Sequence, residues 1–335
     1  MLLLNRKNLQ PLMAETVVKH WALIPAEPLT EAADFLDRWL REKRHGSMQW
    51  LENHRELRRD PRQLMEDGRS ILMIALPYSS RIPEAIGDRS GHPEQTRYRI
   101  SRHVTETDYH HLVKEQLYDI LRRLQNMDRD IRGRVFCDSA PVLEKELARR
   151  AGLGWIGKHS NLILPRAGSW FFLGGMLLNR DTDESPEQIP DHCGQCRKCQ
   201  DACPTGALDS AYSLNAARCI SYLTIENRDS VLPEHLQLQD WIYGCDICQE
   251  VCPWNLKFAA DTHIQGMQPL ISLQLRTKEE WEQTGEKTYK RITRRTAMSR
   301  QSYGNILRNI AHNRHQAETA EEAAAAMDRP ERKRG

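Results

Sequence analysis

The sequence predicts an α/β or α+β core, followed by a small cysteine-rich module and a short basic helical segment. Three observations carry this reading. Apolar strand-like runs alternate with amphipathic helical stretches through the first half of the chain. Eight of the nine cysteines fall between Cys193 and Cys252. From Lys287 to Arg314 there are eight Lys or Arg residues and no Asp or Glu.

The elements follow in order. Residues 1–70 read as helical and charged, with Ala33, Phe35, Leu36, Trp39 and Leu40 at helical spacing. Ser70 to Pro77 (SILMIALP) is a continuous apolar run ending in Pro, the pattern of a buried strand. Residues 81–98 are polar, carry Gly87, Gly91 and Pro93, and read as a loop. Asp108 to Leu124 is an amphipathic helix with Leu112, Leu117, Ile120, Leu121 and Leu124 on its apolar face. Arg134–Cys137 reads as a short strand, and 142–150 as a helix that Gly152 can close. Asn161–Pro165 and Trp170–Asn179 read as strands joined by a turn through Gly168. The domains so defined are a core over 1–184, a cluster module over 185–260, a helical basic segment over 261–315, and an Ala-, Glu- and Arg-rich tail over 316–335 that reads as a frayed helix or disordered.

A chain of 335 residues suits two or three domains with a real core. The formal net charge of +2 does not by itself announce a nucleic-acid partner, so any such surface must be local. Met1-Leu2-Leu3-Leu4 gives way at once to Asn5 and Arg6, too short for the apolar region of a signal peptide. The apolar run Trp170–Leu178 is too short to span a membrane and is interrupted by Gly174 and Gly175. A cytoplasmic protein with no membrane partner is expected.

The cysteines are the most specific signal. Four of them read Cys193-x2-Cys196-x2-Cys199-x3-Cys203-Pro204, the iron–sulfur run of bacterial ferredoxins. Gaps of two residues let three thiolates converge from one tight loop onto three corners of a cubane, and the cysteine before Pro serves the other cluster. An altered copy follows as Cys245-x2-Cys248-x3-Cys252-Pro253, with Val251 where a third short-gap cysteine would stand. Cys219 is the cysteine left nearby to fill that corner. The expected ligand sets for two [4Fe-4S] clusters are therefore Cys193, Cys196, Cys199 and Cys252, and Cys203, Cys219, Cys245 and Cys248. A zinc ribbon needs two pairs per ion rather than a triple followed by x3-Cys-Pro. A disulfide framework belongs to short secreted chains. Cys137, in an apolar run, reads as a buried free thiol.

Four segments match a known family jointly and in order. They are RVFCDSAPVLEKELARRAGLGWIGKHSNLILPRAGSWFFLGGMLLN (134–179), CGQCRKCQDACPTGAL (193–208), RCISYLTIE (218–226) and YGCDICQEVCPWN (243–255). The chain resembles epoxyqueuosine reductases over roughly residues 40–310. That resemblance implies an oxidoreductase that finishes queuosine at the wobble position of tRNA. It implies a cobalamin-binding core similar to reductive-dehalogenase and nitroreductase-like folds, with a ferredoxin-like module. The cofactor would be cobalamin in the cob(II)alamin form, with no His ligand to cobalt. Electrons from an external flavodoxin, ferredoxin or reductase would pass from the outer cluster to the inner one, then to cobalt and the epoxide. A monomer is expected.

Opening an epoxide leaves an alkoxide, so a positioned general acid is required. Asp138 matches the family's proton donor. An aspartate titrates near ~3.9 unperturbed, so desolvation after the apolar strand is the expected means of keeping its proton. The bland reading of Asp138 is an N-cap for the helix that follows. Arg58, Ser101, Lys158, Ser160, Ser221, Cys245 and Asp246 lie in segments resembling the family's cobalamin-contacting parts, and Arg228 in a segment placed to meet tRNA. The segment from Ser101 departs from the family pattern, lacking the usual Ala-Arg-Tyr start and a Gly before Asp108-Tyr109-His110. Asp261-Thr-His263-Ile-Gln-Gly266 matches a D-x-H-x-x-G cobalamin string, but it follows the cluster module in a polar linker and is read as chance. Arg308–His312 resembles the first of the family's C-terminal HEAT-like repeat helices, after which the pattern is lost, so that domain is expected to be truncated. The acid-free run 287–314 is read as a phosphate-contacting surface. The rival readings are a cobalamin and iron–sulfur reductase of a small molecule, similar to reductive dehalogenases, and a ferredoxin-type electron carrier.

Overall fold

The structure is a computed structural model that describes residues 2–78, 96–258 and 262–327. Most of the loop expected over 81–98 lies outside the described residues. The strands are β1 (His20–Pro25), β2 (Ser70–Pro77), β3 (Arg99–Ile100), β4 (Gly133–Phe136), β5 (Trp155–Ile156), β6 (Leu162–Ile163), β7 (Phe171–Leu178) and β8 (Trp241–Tyr243). The main sheet has the order β1-β2-β7-β4 and every pairing in it is antiparallel. Of the two forms open from sequence, the observed one is α+β.

β2 is apolar throughout because both of its faces are covered. Leu72, Ile74 and Leu76 face one core, with Val113, Leu117, Ile120 and Leu124 of the helix Tyr109–Met127 and with Leu9 and Met13 of the helix Arg6–Ala14. Ile71, Met73 and Ala75 face the other, with Leu147 and Ala148 of the helix Glu144–Arg150 and with Leu29 and Leu64. Each large side chain so buried contributes about 1.5–3 kcal/mol. The two glycines of β7 are where these layers close. A Cβ on Gly174 would stand 2.4 Å from Val113 Cγ1, and one on Gly175 2.7 Å from Met73 Sδ.

The N-terminal stretch departs from its helical expectation. His20–Pro25 forms β1, register-paired to β2 from His20 opposite Ala75 to Pro25 opposite Ser70. A short apolar run such as Trp21–Ile24 suits a strand or a helix equally, and the open edge of β2 decides. The helix Thr30–Arg41 forms, but buries Ala33 and Leu40 while Phe35 stays exposed. The strand expected over 161–165 contracts to β6, paired only with β5.

The cluster module is bound into this core. Ser169 N–H donates to Asn255 Oδ1 at 2.6 Å, Asn255 Nδ2 donates to Ser169 Oγ, and Gln249 Nε2 donates to Ser169 O. β3 pairs in parallel with β8, placing Ser101 beside the second cysteine motif. The helix Tyr303–Met327 packs on the same strand, with Asn309 Nδ2 donating to Thr224 O and Ile242 O and Asn313 Nδ2 to Trp241 O. Residues 316–327 continue this helix, the first of the two forms expected for the tail, and 328–335 lie outside the described residues. Among the described residues no helix is long and apolar enough to cross a membrane.

Candidate active site

Between the sheet and the cluster module lies a cavity of about 480 Å³, a size suited to a ligand. Its wall carries Asp138 at the end of β4 and the cysteines Cys203, Cys219, Cys245 and Cys248. None of Cys193, Cys196, Cys199 and Cys252 lines it. Among the described residues no three His, Cys, Asp or Glu side chains gather closely enough to share a lone metal ion. The thiols nevertheless sort into neighbourhoods. Burial pushes Cys199 up to about 11, and the nearby Cys193, Cys252 and Cys196 push it the same way. Burial also raises Cys219, with Cys203 adding to it, and Cys248, with Cys245 and Cys219 adding. Cys248 feels Cys199 as well, so the two groups adjoin.

Asp138 does not cap a helix: the following helix begins at Glu144, with Leu143 at its N-cap and no side-chain cap. Asp138 instead has φ +59°, uncommon for a residue with a Cβ and a conformation that surrounding contacts must hold. Those contacts are specific. Its backbone N–H donates to Glu144 Oε1 at 2.6 Å, and its Oδ2 meets His110 Nε2 at 2.9 Å and accepts from Tyr109 Oη at 3.1 Å. The helix Tyr109–Met127 sets both partners, because Asp108 caps it by accepting from the His110 N–H. Tyr109 is clamped by stacking on Phe172 at 4.0 Å.

The expected desolvation of Asp138 is not what governs its charge. Its side chain is 60% accessible, open to the cavity although ringed by protein. Burial pushes its pKa up, but the hydrogen bond and charge of His110 and the Tyr109 hydroxyl outweigh it and hold the carboxyl below its ordinary value. Glu144 goes the other way. Burial, reinforced by the Asp138 charge, pushes it up to about 8.

The remaining sequence-expected residues divide. Ser101, Ser160, Ser221 and Cys245 line the cavity. Asp246 does not; it is buried beneath it, accepting from Ser101 Oγ and, at 2.8 Å, from the Arg102 N–H. Gly244, at φ +71°, permits this approach, since a Cβ there would stand 2.5 Å from Ser101 Cβ. Lys158 turns away from the cavity and donates to Gly194 O and Cys196 O in the first cysteine loop. Arg58 is buried and donates to Asn53 O, and Arg228 donates to Gln301 Oε1. His263 is exposed and outside the cavity wall.

Sequence reading missed Tyr109, His110, Glu144, His103 and His159. The N-cap Asp108 followed two residues later by His110 was the available signal. His103 Nδ1 pairs with Ser101 Oγ at 2.7 Å, and burial lowers His103 and His159 to about 4. His159 Nε2 and Ser160 Oγ, both in the wall, are buried without a protein partner. In the basic run, Lys287, Lys290, Arg291, Arg294, Arg295, Arg300 and Arg314 are exposed, whereas Arg308 is spent internally on Leu223 O, Asn227 O and Asp229 O.

The chain is similar to proteins of known kind. The family model described as epoxyqueuosine reductase QueG, DUF1730, matches residues 58–139, and that of the 4Fe-4S double cluster binding domain matches 192–255. An epoxyqueuosine reductase of Cellulophaga algicola is 38% identical over 285 residues, 84% of this chain and 89% of that one. A Bacillus subtilis epoxyqueuosine reductase, solved with an aspartate-bearing catalytic loop swung out of the active site, superposes with a TM-score of 0.82 at 29% identity, covering 98% of this chain and 87% of that one. An epoxyqueuosine reductase solved with an epoxyqueuosine-modified tRNA-Tyr stem loop superposes with a TM-score of 0.81 at 28% identity, covering 92% of this chain and 81% of that one.

Proposed function

This chain belongs to the epoxyqueuosine reductase family, and we propose that it removes the epoxide oxygen of epoxyqueuosine at the wobble position of tRNA, using cobalamin fed by two [4Fe-4S] clusters. The observation that carries the reading is one cavity whose wall joins an aspartate at a strand end to four cysteines of the double-cluster domain. We assign Cys203, Cys219, Cys245 and Cys248 to the cluster beside the cavity, and Cys193, Cys196, Cys199 and Cys252 to the one behind it.

The wall suits a corrin. Ser221 offers a hydroxyl to side-chain amides, the unpartnered Ser160 Oγ and His159 Nε2 ask for a ligand's polar groups, and Phe171, Leu173 and Ile220 supply apolar faces. Cobalamin, when bound, supplies a cobalt centre that accepts electrons singly and reacts at carbon. No imidazole is assigned to cobalt. Asp138 delivers a proton to the oxygen released from carbon, which raises the rate of such a step by about 10²–10⁴-fold. Asp246 shapes the wall by anchoring Ser101 from beneath. The exposed arginines and lysines between Lys287 and Arg300 meet tRNA phosphates, presented by the helical segment that leads into the helix Tyr303–Met327.

Anaerobic reconstitution tests the assignment. About eight irons and one cobalt per chain are expected from two cubanes and one corrin. Asp138→Asn should abolish epoxide reduction and leave the cluster and cobalamin spectra intact; retained turnover rules out the acid role.

A further inference from the structure

His110 lies between two carboxylates. Its Nδ1 stands 2.7 Å from Asp108 Oδ1 and its Nε2 stands 2.9 Å from Asp138 Oδ2. An ionised carboxylate can only accept, so both contacts are hydrogen bonds only when both ring nitrogens carry protons. A neutral imidazole would set a lone pair against a carboxylate oxygen unless that carboxyl were protonated. The ring is buried and stacked on Tyr109 at 4.0 Å, so it cannot turn away. Asp108 is fixed as the anionic end, because it also accepts the His110 backbone N–H at 3.0 Å and pairs with Arg300 Nε at 3.4 Å.

We propose that His110, oriented by Asp108, stores the proton that Asp138 delivers, so that the acid of this enzyme is the His110–Asp138 pair. The inference rests on the donor role given to Asp138 and deepens it. Two electrons and two protons convert the epoxide to an alkene and one water. The electrons come from the external reductant through the clusters. Each proton passes from His110 Nε2 to the Asp138 carboxylate and from there to the oxygen leaving carbon, and solvent recharges the ring between transfers. His110 is a positioning and storage residue and does not touch the substrate.

The charges around the pair agree. Burial opposes a charge on His110, but its hydrogen bonds to Asp108 and Asp138 raise its pKa. Burial likewise opposes the Asp108 charge, yet His110 and Arg300 hold that carboxyl at about 2. His103, Tyr109, Cys137, Glu144, Lys145 and Glu226 also face the pair, and of these Glu144 can itself titrate near neutrality.

The test uses cobalamin- and cluster-loaded enzyme, chemically pre-reduced, with epoxyqueuosine tRNA in single turnover over about pH 5.5–9. The store is full below its raised pKa and empties above it. The wild-type rate should therefore fall by about tenfold per pH unit beyond that point. His110→Gln should cost about 10²-fold and displace the falling limb to lower pH, where Asp138 titrates alone, with partial rescue by added imidazole. The limb should persist in Glu144→Gln. Separately, ¹⁵N spectra of the imidazoles at neutral pH should show both His110 nitrogens protonated, and the proton on Nε2 lost earlier in Asp138→Asn. A neutral His110 at pH 7, or a His110→Gln enzyme that is fully active or slowed with an unmoved pH profile, overturns the proposal. If Asp138→Asn is itself active, the donor reading falls; if it is inactive while His110→Gln is not, only the store does.

Discussion

The backbone N–H of Asp138 donates to Oε1 of Glu144 across 2.6 Å, and this bond closes a loop in which Asp138 holds φ +59°. Glu144 therefore reads as the latch. Glu144→Ala should lower the single-turnover rate by about 10- to 100-fold through misplacement of the acid, with tRNA affinity unchanged. Glu144→Gln keeps an acceptor for the N–H and should lose far less.

Glu144 also predicts a pH dependence of stability. Its folded pKa is raised from the ordinary carboxylate range to about 8, by burial and then by the Asp138 charge. A raised acid stabilises the fold fully below its unfolded value, and that contribution is lost as pH rises through the folded value. Denaturant midpoints should accordingly fall between pH 5 and about 8, and Glu144→Gln should flatten that fall. An identical slope in the variant would place the titration elsewhere.

The cysteine pairing gives a spectroscopic prediction. Cys219→Ser should damage the cluster beside the cavity and spare the other, leaving about four firmly bound irons. Cys252→Ser should do the converse. Spin resonance of the reduced proteins separates the two signals, and loss of both signals in each variant would contradict the assigned sets.

The legibility of this molecule follows the range of its interactions. The double-cluster module was readable because gaps of two residues let thiolates converge from one short loop onto a cubane. β2 was readable because burial on both faces leaves an unbroken apolar run. β1 was not, since four apolar residues carry no period that distinguishes strand from helix and the decision came from the edge of β2. The position of Asp138 at the end of β4 was legible, whereas its electrostatics were not. Its charge depends on His110, which lies 28 residues away in sequence and reaches it only through helix packing. The side chains of Lys158 and Asp246 engage the first cysteine loop and Ser101, contacts that were not legible because a motif locates a backbone and not the direction of a side chain.

Gly174 links packing to the site. A Cβ there would stand 2.4 Å from Val113 Cγ1 and 3.1 Å from Leu117 Cδ1, both on the helix that begins with Tyr109 and His110. Gly174→Ala should destabilise by about 1–3 kcal/mol through overpacking, read as a lower denaturant midpoint at unchanged slope. The helix can yield only by shifting the residues that hold Asp138, so turnover should fall more than cluster content.

The basic run makes the last prediction, because its arginines are not equivalent. Arg294 and Arg295 are exposed on the segment that leads to Arg300 and the Asp108 end of the site. Arg308 is committed to the carbonyls of Leu223, Asn227 and Asp229. Affinity for a tRNA anticodon stem loop should fall linearly on a log–log plot against salt. Arg294→Ala and Arg295→Ala should each reduce that slope by about one per phosphate contact removed, with little change in thermal stability. Arg308→Ala should lower stability, since it leaves buried carbonyls without a donor, and should leave the salt slope close to wild type in the folded fraction. Filter-binding or anisotropy titrations between about 50 and 200 mM salt distinguish the two behaviours. A salt-independent affinity, or an equal slope in all three variants, would remove the 287–314 surface from tRNA recognition.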